Sequence, residues 1–180
     1  GHFLRGVLRR AFPGGLANIF VVLMAQAFMA IFGLSLDEIS KDILEGLTER
    51  IKVKNLTVSV EGSASLISDY NMMVELVENL ISNAVKYNKD DGCVTVMLQE
   101  CEQGVLLQVK DTGIGIEKTH LPRLCERFSR VDKSHSKRIG GTGLGLAIVK
   151  HICAILDANL SIESEFGIGT TVSVMFGKQK

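Results

Sequence analysis

Apolar positions along the chain follow one of two periods, and each change of period marks a new element. From Ser35, SLDEISKDILEGLTERIKVK places apolar residues at 36, 39, 43, 44, 47 and 51. That spacing predicts one amphipathic helix, with Ser35 or Asp37 as its start signal. LTVSVEG (56–62) alternates and is rich in β-branched residues, which predicts a strand. Asp69 then caps a helix running through ELVENLISNAVKYN (75–88), where Val77, Leu80, Ile81 and Ala84 share an apolar face. CVTVMLQE (93–100) and GVLLQVKD (104–111) alternate on either side of a short turn, as an antiparallel hairpin does. Residues 111–143 are loop-rich, and LGLAIVKHICAIL (144–156) returns to the helical period. NLSIESE (159–165) and TTVSVMF (170–176) form a second hairpin across FGIG. Three long helices and about five strands, with helices between antiparallel pairs, predict an α+β fold. The expected form is a two-layer sandwich: a mixed, mostly antiparallel sheet packed on three helices.

The first 34 residues differ from this pattern. GHFLRGVLRRAFPGG carries Arg5, Arg9 and Arg10 and a Pro-Gly-Gly break, and LANIFVVLMAQAFMAIFGL (16–34) follows, apolar except for Asn18 and Gln26. Such a run would just span a bilayer, and arginines before it suit a cytoplasmic flank. We read it instead as a buried or dimer-forming helix, because a soluble pattern starts at Ser35 with no linker. A membrane-proximal remnant and a cloning-derived segment are the other readings. The expected organisation is this N-terminal segment (1–34), one domain (35–177) and a short tail (178–180).

Composition adds exclusions. Lys+Arg and Asp+Glu number 20 each, so the formal net charge is zero, unlike the basic excess of a nucleic-acid binder. Cys93, Cys101, Cys125 and Cys153 form no Cys-x-x-Cys pair and have no histidine at ligand spacing. They read as reduced thiols, mostly in or near the core, and not as a zinc site.

Three segments carry candidate chemistry. On the helix of residues 75–88, Glu75, Asn79, Asn83, Lys86 and Tyr87 fall on one arc beside the apolar face. Amide oxygens are hard ligands for Mg²⁺, lysine neutralises phosphate, and a tyrosine ring can stack on a base. Taken singly, each is an ordinary polar helix shoulder. DTGIGI (111–116) follows a strand, so a carboxylate enters a Gly-x-Gly loop where a ligand can approach the backbone. RIGGTGLGLAIVK (138–150) places four glycines before a helix whose first N–H groups favour anions. Its spacing fits neither the phosphate-binding loop that ends in Gly-Lys-Ser/Thr nor the dinucleotide fingerprint.

Together these segments resemble the ATP-binding domain of sensor histidine kinases, over roughly residues 35–177. The wider superfamily includes DNA gyrase, heat-shock chaperones of the ninety-kilodalton class and mismatch-repair ATPases. ENLISNAVKYN is similar to the family's N box and DTGIGI to its first glycine box. RLCERFSRVDKS (123–134) resembles the F box, and GGTGLGLAIVKHI the second glycine box. FGIGTTVSV matches the closing strand turn.

The resemblance implies ATP and Mg²⁺ as ligands and a role for each matching residue. Asp111 would accept from the adenine amino group, with Thr170 helping through water. Gly113, Gly115 and Ile116 would line the base pocket, and Tyr87 would flank the ring. Asn83 would ligate Mg²⁺, with Asn79 beside it near the phosphates, where Lys86 and Arg130 would also act. Gly141, Thr142, Gly143, Leu144, Gly145 and Leu146 would wrap the phosphate chain. Residues 117–141 would form a flexible lid over the nucleotide. Hydrolysing members of the superfamily carry a water-activating glutamate that aligns with position 79. Asn79 has no basic lone pair at neutral pH, so bound ATP would be kept for another acceptor.

That acceptor would be a histidine on a dimerising helical hairpin, with relay to an aspartate of a response regulator. HFLRGVL (2–8) keeps part of the acceptor pattern but lacks its acidic neighbour and proline, so we read the match at His2 as accidental. His135 and His151 read as a lid residue and a surface helix residue. The expected protein is the cytoplasmic catalytic domain of a membrane-associated bacterial sensor, with a second copy of itself among its expected partners. A serine kinase of the anti-sigma type and a nucleotide-binding adaptor without transfer activity are the alternatives. The paired glycines that usually end the family's last helix are replaced by LDANLS, where Asn159 would take the left-handed position.

Overall fold

In chain order the elements are β1 (Leu34–Ser35), α1 (Leu36–Gly46), α2 (Thr48–Val53), β2 (Thr57–Glu61), β3 (Ser65–Leu66), α3 (Tyr70–Lys86), β4 (Cys93–Cys101), β5 (Gly104–Asp111), α4 (Gly145–Ile155), β6 (Asn159–Glu165) and β7 (Gly169–Gly177). They are seen in a computed structural model that describes residues 33–121 and 144–178, together with Met24. Arg130, Gly141, Thr142, Gly143, most of the expected lid and nearly all of the N-terminal segment lie outside the described residues.

Five strands form one sheet in the order β2-β4-β5-β7-β6. Only β2 and β4 run parallel; the other three pairings are antiparallel. The parallel pair follows from connectivity, because α3 intervenes between β2 and β4 and returns the chain in the same direction. The expected α+β fold, with a mixed and mostly antiparallel sheet of five strands against helices, is observed.

Strand alternation puts the core on one face. Val94, Val96 and Leu98 of β4, Val105, Leu107 and Val109 of β5, and Val172, Val174 and Phe176 of β7 are all buried. They meet Met73, Leu76, Val77, Leu80, Ile81, Ala84 and Val85, the buried side of α3. The opposite sheet face carries hydrophilic cross-strand pairs, such as Gln108 Nε2 donating to Ser173 Oγ at 2.9 Å. Asp69 caps α3 as expected, its carboxylate accepting from the Met72 N–H at 2.9 Å. α3 packs against both α1 and α4 and sets the position of each.

Three expectations need correction. The single helix read over 35–54 is two helices, broken at Leu47. The Leu47 N–H is shared between Ile43 O and Leu44 O, and the Thr48 hydroxyl bonds back to Glu45 O at 2.6 Å. Gly46, a weak helix former, sits at the break. Ile43, Leu47 and Ile51 still pack on the core, which is why the apolar period runs through the break unchanged. Second, β1 and β3 form a separate antiparallel pair, Leu34 opposite Leu66, too short to show as alternation. Third, the left-handed residue after α4 is Asp157 (φ 50), while Asn159 begins β6. The Ala158 N–H then closes on Cys153 O at 2.8 Å, and the short acidic side chain tolerates the conformation. The described cysteines follow the expectation in two of three cases: Cys153 is buried, Cys101 half-buried and Cys93 exposed. Among the described residues no helix is long and apolar enough to cross a membrane.

Candidate functional site

Asp111 is the last residue of β5, paired with Thr170 of β7. The next residues leave the sheet in a turn set by that carboxylate: the Gly113 N–H donates to Asp111 Oδ1 at 2.8 Å. A side chain at Gly113 has no room, because a Cβ would lie 2.3 Å from Tyr87 O. Gly115 has φ +65, and its Cβ would meet Glu165 O at 1.9 Å. These glycines allow backbone to lie on backbone, and the loop is clamped between the end of α3 and the β6–β7 turn. Its hydrogen bonds agree with that packing. Ile114 N–H donates to Tyr87 O at 3.1 Å, and Gly167 N–H donates to Ile114 O at 2.7 Å. Ile116 N–H donates to Ser164 Oγ at 2.8 Å, and the Lys89 ammonium donates to Gly167 O.

Ser164 also fixes Thr170. Its hydroxyl donates to Gly169 O at 2.9 Å and lies 2.8 Å from Thr170 Oγ1. With its one proton given to Gly169, Ser164 must accept from Thr170, which leaves the lone pairs of Thr170 available. Burial pushes the Asp111 carboxyl above its ordinary value, and the N–H groups of Gly113 and Thr170 offset part of that rise.

The other half of the site is a ledge on α3. Asn79 donates from Nδ2 to Glu75 O at 2.7 Å, within its own helix. The Asn83 side chain has no hydrogen-bond partner among the described residues and is half-buried. The start of α4 lies directly on the pair. A Cβ on Gly145 would lie 2.9 Å from Asn79 Oδ1 and 3.3 Å from Asn83 Nδ2. Leu144 precedes that helix and makes no side-chain cap, and Leu146 packs on the core. Farther along α3, the Lys86 ammonium is 5.1 Å from the centre of the Tyr87 ring.

The fold therefore gathers Asn79, Asn83, Leu144, Gly145 and Leu146 at the contact of two helices, and Asp111, Gly113, Gly115, Ile116 and Thr170 at one end of the sheet. Lys86 and Tyr87 stand at the end of α3, where the Asp111 loop docks. Two surface pockets among the described residues contain none of these residues. One is lined in part by Leu66, Ser68, Leu156 and Phe176, the other in part by Ile39, Ile43, Tyr70 and Val74.

Reading the sequence missed the groups that brace this arrangement. Asn88 is buried; it donates to Cys93 O at 2.9 Å and accepts from the Lys89 N–H at 3.0 Å. The Thr112 hydroxyl accepts from the Cys93 N–H at 2.8 Å. Lys54, far away in sequence, donates to backbone carbonyls at the end of α3. An asparagine before a turn gave a faint signal for Asn88; nothing local marked Lys54.

Comparison with known proteins places this geometry. Residues 68–180 match the family model described as histidine kinase-, DNA gyrase B-, and HSP90-like ATPase. The phosphate regulon sensor protein PhoR of Pseudomonas aeruginosa is 52% identical over 98 residues, which is 54% of this chain and 22% of that protein. Among solved structures, the mycobacterial sensor histidine kinase MprB superposes with a TM-score of 0.69 at 25% identity, covering 82% of this chain and 99% of that one. ShkA, solved full-length in complex with AMPPNP, superposes with a TM-score of 0.68 at 22% identity, over 82% of this chain and 32% of that one. The chain thus spans about a fifth of the length of PhoR. A family match over more than half of the chain, on the fold and motifs described, identifies it as a member of the histidine kinase-, DNA gyrase B- and HSP90-like ATPase family, with sensor histidine kinases as its relatives.

Proposed function

We propose that the chain is the catalytic module of a two-component sensor kinase. It binds Mg·ATP and presents the γ-phosphoryl group to a histidine on a dimerisation hairpin, for relay to a response-regulator aspartate. On this reading it is the cytoplasmic domain of a membrane-associated sensor. The observation that carries the reading is the contact of Gly145 with Asn79 and Asn83, which joins the start of α4 to the amide ledge of α3. A helix start favours phosphate oxygens, and the amides stand beside it. The AMPPNP carried by ShkA supports the same ligand class.

The adenine amino group would donate to Asp111, whose carboxylate is already aimed by the Gly113 N–H. Tyr87 would cover one face of the base, and Gly113 and Gly115 let it approach the loop. Lys86, with Arg130, would offset the phosphate charge. A divalent ion would supply charge neutralisation between the phosphates. The residues suit Mg²⁺: Asn83 offers a hard amide oxygen that has no other partner among the described residues. Mg²⁺ typically keeps several waters and phosphate oxygens and needs few protein ligands. Asn79 cannot take a proton from water at neutral pH, so the triphosphate persists until an acceptor hydroxyl or imidazole arrives.

The test is thermal stabilisation by Mg·ATP. A ligand at about 100 times its Kd adds about 2.7 kcal/mol, equivalent to a rise of roughly 5–11 °C for a chain of this size. The rise is expected for the native protein and lost in Asp111→Ala; its persistence in the variant would overturn the adenine assignment. Adding γ-labelled ATP with a separately made histidine hairpin then decides the reaction. An acid-labile phosphoryl group on the hairpin supports the kinase; stable label on a serine substrate supports the anti-sigma type; binding without transfer leaves an adaptor.

A further inference from the structure

We propose that Lys54 is a positioning residue for the nucleotide site: its ammonium fixes the last turn of α3 and, through it, Tyr87 and the Gly113 loop. The inference rests on the nucleotide reading above.

A helix ends with carbonyls that have no partner within it. In α3 the last intrahelical bond is Tyr87 N–H to Asn83 O. Beyond it, Lys54 Nζ lies 2.7 Å from Lys86 O, 2.9 Å from Asn88 O and 3.3 Å from Val85 O. An ammonium has three N–H groups, and here each has one carbonyl. Tyr87 O, between them, accepts from Ile114 N–H. The four carbonyls of residues 85–88 are thus divided between one lysine and the loop that follows Asp111. A positive charge here also complements the negative end of the helix dipole.

Lys54 makes no ion pair that competes for this role. Lys41 with Asp37 is the one salt bridge among the described residues. The Lys54 backbone is anchored to the turn between α3 and β4: Asp91 N–H donates to Lys54 O at 2.9 Å, and Asn55 Nδ2 to Asp91 Oδ1 at 2.7 Å. Asn55 and Asp91 both have positive φ, 51 and 57, so the two turns form one braced unit under the end of α3. Without the ammonium, three half-buried carbonyls lose their donor and the last turn can unwind. Tyr87 would move with it, and so would Gly113, which has no space between itself and Tyr87 O. Asn79 and Asn83 lie one to two turns earlier and stay in place. Lys86 stands in the same last turn, so the effect reaches the base and this lysine but not the amide ledge that would hold the metal.

Calorimetric titration with adenosine, ATP and Mg·ATP tests this, at a temperature where circular dichroism shows each variant fully folded. Lys54→Met is expected to weaken adenosine about ten-fold, the equivalent of 1.4 kcal/mol, and Mg·ATP by at least that factor. The ratio of affinities with and without Mg²⁺ stays as in the native protein, and Lys54→Arg recovers most of the loss. If Lys54→Met does not fold, Lys54→Gln is titrated in its place with the same expectation. Unchanged adenosine affinity with a lowered Tm would make Lys54 a purely structural cap and overturn the proposal. A loss confined to the phosphate-bearing ligands would overturn it as well. Absence of ATP binding by the native protein would instead refute the nucleotide reading itself.

Discussion

The two halves of the site are built differently. Around Asp111, backbone packs on backbone: Gly113 against Tyr87 O, Gly115 against Glu165 O, Gly169 against Asp111 O. Ser164 and Thr112 spend their hydrogen bonds within the protein, and Thr170 gives its proton to Ser164. On the α3 ledge, Asn83 has no partner among the described residues, and the nearest atoms to a Cβ on Gly145 are the ends of two side chains. The first half is a closely packed structure around one half-buried carboxylate. The second is a set of polar side-chain ends with few partners among the described residues. A planar, rigid base suits the first arrangement, and a flexible charged chain with a hydrated ion suits the second.

Substitution of the glycines should expose this difference. Gly115→Val places a β-branched side chain at φ +65 and against the Glu165 carbonyl, where neither backbone can yield. A loss of roughly 2–4 kcal/mol in urea unfolding is expected. A loss below about 0.5 kcal/mol, the scale of surface changes, would show that the loop is not clamped. Gly145→Ala is the matching change on the ledge. Its new methyl meets asparagine side-chain ends that can turn away, and alanine favours the helix. Stability should hold or rise slightly, while Mg·ATP affinity falls about ten-fold, or 1.4 kcal/mol. Equal loss of stability in both variants would erase the contrast.

The smallest effect concerns protons. The raised Asp111 pKa means that the native state holds this proton to higher pH than the unfolded chain does. The native state therefore binds more protons between the ordinary value of 3.8 and the raised one, and this contribution to stability declines as pH rises through that window. Nucleotide affinity should move the other way, because the adenine amino group needs the ionised carboxylate. Thermal melts and Mg·ATP titrations across mildly acid pH should show the opposed trends, with Asp111→Asn removing the stability trend. Parallel trends would mean that the carboxylate does not meet the base.

Much of this was visible along the chain because the signals are local. Alternation in 93–111 and 159–176 fixes which faces of the strands are buried, and Asp69 announces the start of α3 three residues before the N–H it caps. The break at Leu47 was not visible, because the apolar period crosses it: the core asks only that Ile43, Leu47 and Ile51 face inward. Asp157 was passed over for Asn159 because only the close of the helix on Cys153 decides which residue turns left-handed. The site divides in the same way. ELVENLISNAVKYN and DTGIGI specify the chemical groups, since residue type and helical spacing are enough to put two amides on one stripe.

What the sequence determined by itself was the set of elements, the buried faces and the kinds of group available for binding. Which groups meet was decided only by the folded structure. Gly145 comes onto Asn79 and Asn83, and Lys54 onto the end of α3, across long stretches of chain. Those contacts depend on how helices and sheet pack around one core, and packing is a property of surfaces that no local pattern encodes.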